Sequence, residues 1–192
     1  LHVMLEPIEN LYTHQHDAVA ELLIGRNCIL TTSTSSGKSL VYHITSMWKI
    51  LENIDSTMMY IAPTKALAQD QVRSFNLFLD KIRLLSVDEI TRLMPFEVSN
   101  PEEYVYKLKN MKISTYDGDT TQEQRKQISK WGQNNIQIIF TNPDMIHAAI
   151  LPNHQKWASF LENLKMVIID ELHIYNSLFG THVSLVFRRL RR

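Results

Sequence analysis

The sequence predicts an α/β fold, a mostly parallel sheet with helices on both faces. Two observations predict it: short apolar runs alternate with longer stretches, and those stretches place apolar residues at a 3.6-residue period. A third bounds it. At 192 residues the chain can build one good core and is too short for two full-sized domains.

Taken in order, Cys28–Thr32 reads as the first strand. The helix after it carries Leu40, Ile44, Met47, Trp48 and Leu51 on one face. Met58–Ala62 is the second strand, followed by a helix with Ala68, Val72, Phe75 and Leu79. Residues 84 to 111 break the rhythm. Pro95, Ser99, Asn100 and Pro101 punctuate that stretch, and Glu102–Leu108 can form a short helix, so it reads as a surface elaboration. Ile113–Tyr116, Ile136–Thr141 and Met166–Asp170 are the remaining strands. A last helix, from about Thr181, carries Val183, Val186, Phe187 and Leu190.

Composition narrows the class only slightly. Apolar residues make up 44% and charged residues 21%, with 20 basic and 20 acidic side chains. A net charge of zero argues against a protein that grips nucleic acid with its whole surface. No stretch approaches the roughly 18 uninterrupted apolar residues of a membrane span. The start, Leu1 to Pro7, lacks the charge and apolar pattern of a secretory signal, and it does not begin with Met, which points to a fragment or a trimmed chain. One cysteine, Cys28, excludes an internal disulfide and a multi-cysteine zinc site, and reads as a buried strand thiol in a reducing compartment.

Two motifs carry chemistry. The first, Thr32-Ser33-Thr34-Ser35-Ser36-Gly37-Lys38-Ser39, lies between a predicted strand and a predicted helix. Phosphates bind backbone N–H groups at a helix N-terminus, and Gly37 lets the chain wrap closely around them. Lys38 would reach the β- and γ-phosphates, and the Ser39 hydroxyl would ligate magnesium. The strict pattern has glycine where this chain has Thr32. Taken alone, the run also fits a serine-rich turn capping a helix. The second motif is Val167-Ile168-Ile169-Asp170-Glu171-Leu172-His173. A strand ending in two adjacent carboxylates places acid groups at the carboxyl edge of the sheet, where ligands bind. There Asp170 would hold magnesium, and Glu171 would orient and deprotonate the attacking water. Alone, it could be an acidic strand end in a solvated turn. The pair, in this order and separation, points to a nucleotide site.

These motifs identify a family resemblance. Asp170-Glu171-Leu172-His173 resembles the DExH box and Thr32–Ser39 resembles motif I of superfamily II helicases, while Pro63–Gln71 is similar to motif Ia. Tyr116–Thr120 and Thr141–Met145 are similar to the next two motifs. The run from Asp170 through Tyr175, Phe179, Gly180 and His182 to Arg188–Arg192 resembles the YprA/MrfA-like helicases, including the fungal RecQ-four-related Hrq helicases. That group shares a serine-rich motif I lacking its first glycine, so Thr32 fits it.

The resemblance implies a RecA-like P-loop domain over 1–192, the N-terminal ATP-binding lobe, with 84–111 as an insertion. It implies ATP and magnesium as ligands, with Gln15 reading the adenine edge and Thr32 to Ser39 holding phosphate. Pro63, Thr64, Lys65, Gly118, Thr141, Asn142, Pro143 and Asp144 would meet the backbone of single-stranded DNA. His173 would couple to a second lobe. Only 19 residues follow His173, whereas a second lobe needs roughly 150, so that lobe is expected to be missing and this chain nearly inactive alone. The activity implied is 3′-to-5′ DNA unwinding in repair, in a nucleus or, in bacteria, the cytoplasm, with no membrane partner and no secretion. Two rivals remain: another class of P-loop enzyme, and a nucleotide-dependent nucleic-acid-binding module that never turns over. No transporter signature or GTPase tetrapeptide supports the former.

Overall fold

The structure is a computed structural model describing residues 11–33, 36–94, 100–131 and 136–191. These residues divide into two compact units, one containing 11–54 and 75–109, the other 55–74 and 110–191.

In the first unit, α1 (Thr13–Leu23) packs on α2 (Lys38–Glu52). Ala18 and Val19 of α1 meet Val41 and Ile44 of α2, with Leu22, Leu23, Cys28, Leu30 and Leu40 partly buried against them. Of the predicted α2 stripe, Ile44, Met47 and Leu51 are buried and Leu40 and Trp48 only half-buried, while Val41, outside that stripe, is buried as well. Two further helices, α4 (Val87–Leu93) and α5 (Pro101–Lys109), fill the stretch expected to be a surface elaboration. Ser86 and Glu89 form a reciprocal cap at the start of α4. Ile90, Val105 and Leu108 are buried, and Tyr104 Oη donates to the Ile50 and Leu51 carbonyls of α2. That segment is therefore anchored by its own apolar side chains. Helix α3 (Lys65–Leu84) contributes its later half, including Phe75, Phe78, Leu79 and Ile82, to this unit.

The Cys28–Thr32 strand is not formed: this segment pairs with no strand among the described residues. Cys28, Leu30 and Thr32 are half-buried while Ile29 and Thr31 are exposed. The alternation that suggests a strand is present, but a ladder partner is not. Cys28 is half-buried rather than a buried strand thiol.

The second unit holds a four-stranded parallel sheet of β1 (Thr57–Ile61), β2 (Lys112–Thr115), β3 (Ile136–Thr141) and β4 (Leu164–Ile169), ordered β2-β3-β1-β4. The four remaining predicted strands are thus all present within two residues of their expected ends. Every residue of β1 is buried, as in a sheet covered on both faces. Met59, Ile61 and Ile139 enter a core with Ile146, Ile150, Trp157, Phe160 and Val186. Between β2 and β3 lies α6 (Gln122–Trp131). After β3 come the short α7 (Pro143–Met145), a π turn, a 3-10 stretch and α8 (Ala158–Glu162). The chain closes on α9 (Ser177–Leu190), which starts four residues before its expected position. No helix of the described residues is long and apolar enough to cross a membrane.

Candidate nucleotide and nucleic-acid site

In the first unit the phosphate-binding candidate is a loop closed on itself. Gly37 caps α2 with φ of 74°, a left-handed conformation that favours glycine. A Cβ at Gly37 would also lie 2.4 Å from Gln15 Nε2, the movable tip of a side chain, so it is the backbone angle that favours glycine there. Lys38 Nζ donates to the Thr32 carbonyl at 2.9 Å and the Ser33 carbonyl at 2.7 Å. The Thr32 and Ser36 hydroxyls are 2.6 Å apart. Ser39 follows in the first turn of α2, and Thr34 and Ser35 lie outside the described residues.

Gln15 is buried against this loop. Its Nε2 donates to the Gly37 carbonyl at 3.0 Å and to Ser36 at 3.4 Å, while Oε1 accepts from the Tyr12 amide at 3.0 Å. Both faces of the amide are engaged within the protein. His14 Nε2 also lies 3.1 Å from the Ser36 carbonyl, a contact for which the sequence offers no signal beyond proximity to Gln15. The arrangement holds the Lys38 ammonium against two carbonyls, and an anion can take it over by replacing neutral acceptors with charged ones.

In the second unit, four motif segments leave the carboxyl ends of four parallel strands, the edge at which open α/β sheets bind ligands. Pro63, Thr64 and Lys65 follow β1, with the Thr64 hydroxyl accepting from the Leu67 amide at 3.3 Å. Tyr116 to Thr120 follow β2, in a turn where Asp117 Oδ1 accepts from the amides of Asp119 and Thr120. Arg125 donates to the Thr120 and Asp117 carbonyls and so braces that turn. Lys65 Nζ is ion-paired with Asp119. Gly118 lies beside that ammonium.

Thr141 ends β3 and is 2% exposed; its hydroxyl donates to the Tyr116 carbonyl at 2.7 Å. The hydroxyl expected to meet a phosphate thus ties β3 to the β2 turn. Asn142 Oδ1 accepts from the Met145 amide and caps α7, Pro143 is buried and Asp144 is exposed. Thr64, Lys65, Asp117, Thr141 and Asn142 line one small cleft.

Asp170 continues the β4 ladder, its amide donating to the Ile61 carbonyl at 2.9 Å. Its Oδ1 accepts from the Glu171 amide at 2.9 Å and its Oδ2 from the Tyr60 hydroxyl at 2.6 Å. Tyr60, read from the sequence only as part of a strand, is a contact the motifs did not point to. Glu171 has φ of 48°, an uncommon angle for a residue with a side chain and one that clusters at functional sites. Its Oε2 lies 3.2 Å from His173 Nδ1. Burial, followed by the nearby charges of Asp170 and Asp144, pushes the Tyr175 hydroxyl up to about 12, and its oxygen is buried with no hydrogen-bond partner among the described residues. A carboxylate with free lone pairs is the hard oxygen donor that magnesium takes, so Asp170 fits that ion.

A parallel sheet with paired carboxylates and nucleotide-type turns at one edge, in a chain that also carries a glycine-lysine-serine helix start, defines a RecA-like helicase lobe. The chain belongs to the DEAD/DEAH box helicase family, which matches residues 12–192. It is 52% identical to the ATP-dependent helicase HRQ1 of Saccharomyces cerevisiae, over 96% of this chain and 15% of that protein. Identity to the ATP-dependent helicase YprA of Bacillus subtilis is 39%, over 96% of this chain and 21% of that one. The solved structure of the helicase MrfA bound to DNA and AMPPNP superimposes with a TM-score of 0.78 at 36% identity, covering 99% of this chain and 24% of that chain. The chain therefore spans between about a seventh and a quarter of these relatives' length.

Proposed function

We propose that this chain is the ATP-binding lobe of a 3′-to-5′ DNA helicase that works in DNA repair. In this reading Thr32 to Ser39 hold the phosphates, Lys38 reaches the γ-phosphate, and Ser39 and Asp170 ligate magnesium. Glu171 orients the attacking water, and His173 couples to a second lobe. The adenine contact of Gln15 requires its amide to leave Ser36 and Gly37 as the loop opens. Pro63 to Lys65, Gly118 and Thr141 to Asp144 meet the phosphates of one DNA strand. The location proposed is a nucleus, or the cytoplasm of a bacterium.

The observation that carries the reading is Lys38 Nζ, which among the described residues bonds to two neutral carbonyls that a phosphate can outbid. The MrfA structure, bound to DNA and AMPPNP and similar to this chain over 24% of its length, supports it. Turnover is proposed to need an arginine from a second lobe, a group worth about 10³–10⁵ in rate in GTPases. Lys38→Ala is expected to abolish magnesium-dependent ATP binding while leaving the far-ultraviolet circular dichroism unchanged. Equal affinity of variant and parent by calorimetry would overturn the assignment. The rival, a nucleotide-dependent DNA-binding module without turnover, predicts ATP binding with no phosphate release even in the full-length enzyme.

A further inference from the structure

Asp170 is held by a residue from a neighbouring strand. Tyr60 pairs in register with Ile168 of β4. Side chains two apart on a strand share a face, so Asp170 is the diagonal neighbour of Tyr60, within reach of a long aromatic side chain. The ring is buried, 2% exposed, and rests on Phe140 at 5.0 Å between centroids. That packing aims the hydroxyl, which donates to Asp170 Oδ2 at 2.6 Å, the length of a charge-assisted O–H···O⁻ bond. The other oxygen accepts from the Glu171 amide. A carboxylate offers about four lone-pair sites. Among the described residues these two donors fix its plane from opposite oxygens and leave one lone pair on each in a set direction.

We propose that Tyr60 is a positioning residue for magnesium, fixing the Asp170 carboxylate in the orientation that receives the ion or its bound water. This rests on the reading of Asp170 as a magnesium ligand. None of the motif segments read from the sequence includes Tyr60; it puts a hydroxyl tip near the end of β1, where β4 ends in Asp170.

Tyr60→Phe keeps the ring, its burial and the Phe140 contact, and removes only the donor. The test is ATP binding by calorimetry across a magnesium titration, with manganese binding followed by electron paramagnetic resonance. Tyr60→Phe should raise the metal concentration for half-maximal binding by about 10-fold, the lower end for loss of a group that orients a metal ligand. ATP affinity without metal should stay at the parent value, which a general loss of structure would not allow. Asp170→Asn is run beside it. If Asp170→Asn shifts the metal requirement and Tyr60→Phe does not, the Tyr60 inference falls alone. If neither shifts it, the magnesium reading of Asp170 falls and takes the inference with it.

Discussion

His43 sits in α2 at 5% exposure, its ring edge-on to Phe75 at 4.8 Å and stacked near Phe78 at 5.3 Å. Burial pushes its pKa from 6.5 down to about 4, and Nε2 has no hydrogen-bond partner among the described residues. The unfolded chain therefore takes up a proton near pH 6.5 that the folded chain refuses until about pH 4. Stability is complete above 6.5 and falls as pH drops through that window, by about 2 kcal/mol between pH 7 and pH 5. His43→Phe should flatten that dependence in denaturant melts at the two pH values, and an equal loss in variant and parent would refute it. The sequence placed His43 on no surface and in no site. Side-chain partners of this kind are decided by packing, which a one-dimensional pattern does not contain. Gln15 and Thr141 show the same limit: both are legible as motif residues, yet the partners of the Gln15 Nε2 and the Thr141 hydroxyl lie 21 to 25 positions away.

At the scale of elements, the turn carrying Glu171 and His173 is clamped by α9. Gly180 packs so closely that an added Cβ would lie 2.4 Å from the Tyr175 carbonyl oxygen and 2.8 Å from its carbon, both backbone atoms. Tyr175 and Phe179 rings meet at 5.7 Å across the same junction. Gly180→Ala must push the turn or the helix aside, at about 1–3 kcal/mol for such overpacking. A lower melting temperature is expected, together with faster amide exchange at residues 171–175; a melt identical to the parent's would show that the junction yields freely. Four strands were legible because buried parallel strands are continuous apolar runs ending at turn signals. Cys28–Thr32 looked equally like one, since local alternation cannot report whether a neighbour is there to pair. The start of α9 was read late because Gly180 suppresses helix propensity; the close approach to Tyr175 outweighs that preference.

Across the whole molecule, 20 acidic residues balance 20 basic ones, so the DNA affinity proposed for this chain has to come from local contacts. The motif segments at the carboxyl edge of the sheet supply one lysine, Lys65, and it is already paired with the exposed Asp119. A phosphate must displace that carboxylate, which makes Asp119 a competitor for the same charge. Backbone amides and polar side chains release few counterions, so binding of fluorescein-labelled single-stranded DNA should be weak. The plot of log affinity against log salt should be shallow, about −0.7 for each phosphate neutralised. Asp119→Asn removes the competitor and restores one cation. In fluorescence anisotropy across a sodium chloride series it should bind more tightly at low salt, with a slope steeper by about 0.7. Lys65→Ala in the same background should cancel both changes. An Asp119→Asn chain with parental affinity and slope would place Lys65 off the DNA track. The path of the strand would then have to be drawn from the β3 and β2 turns alone.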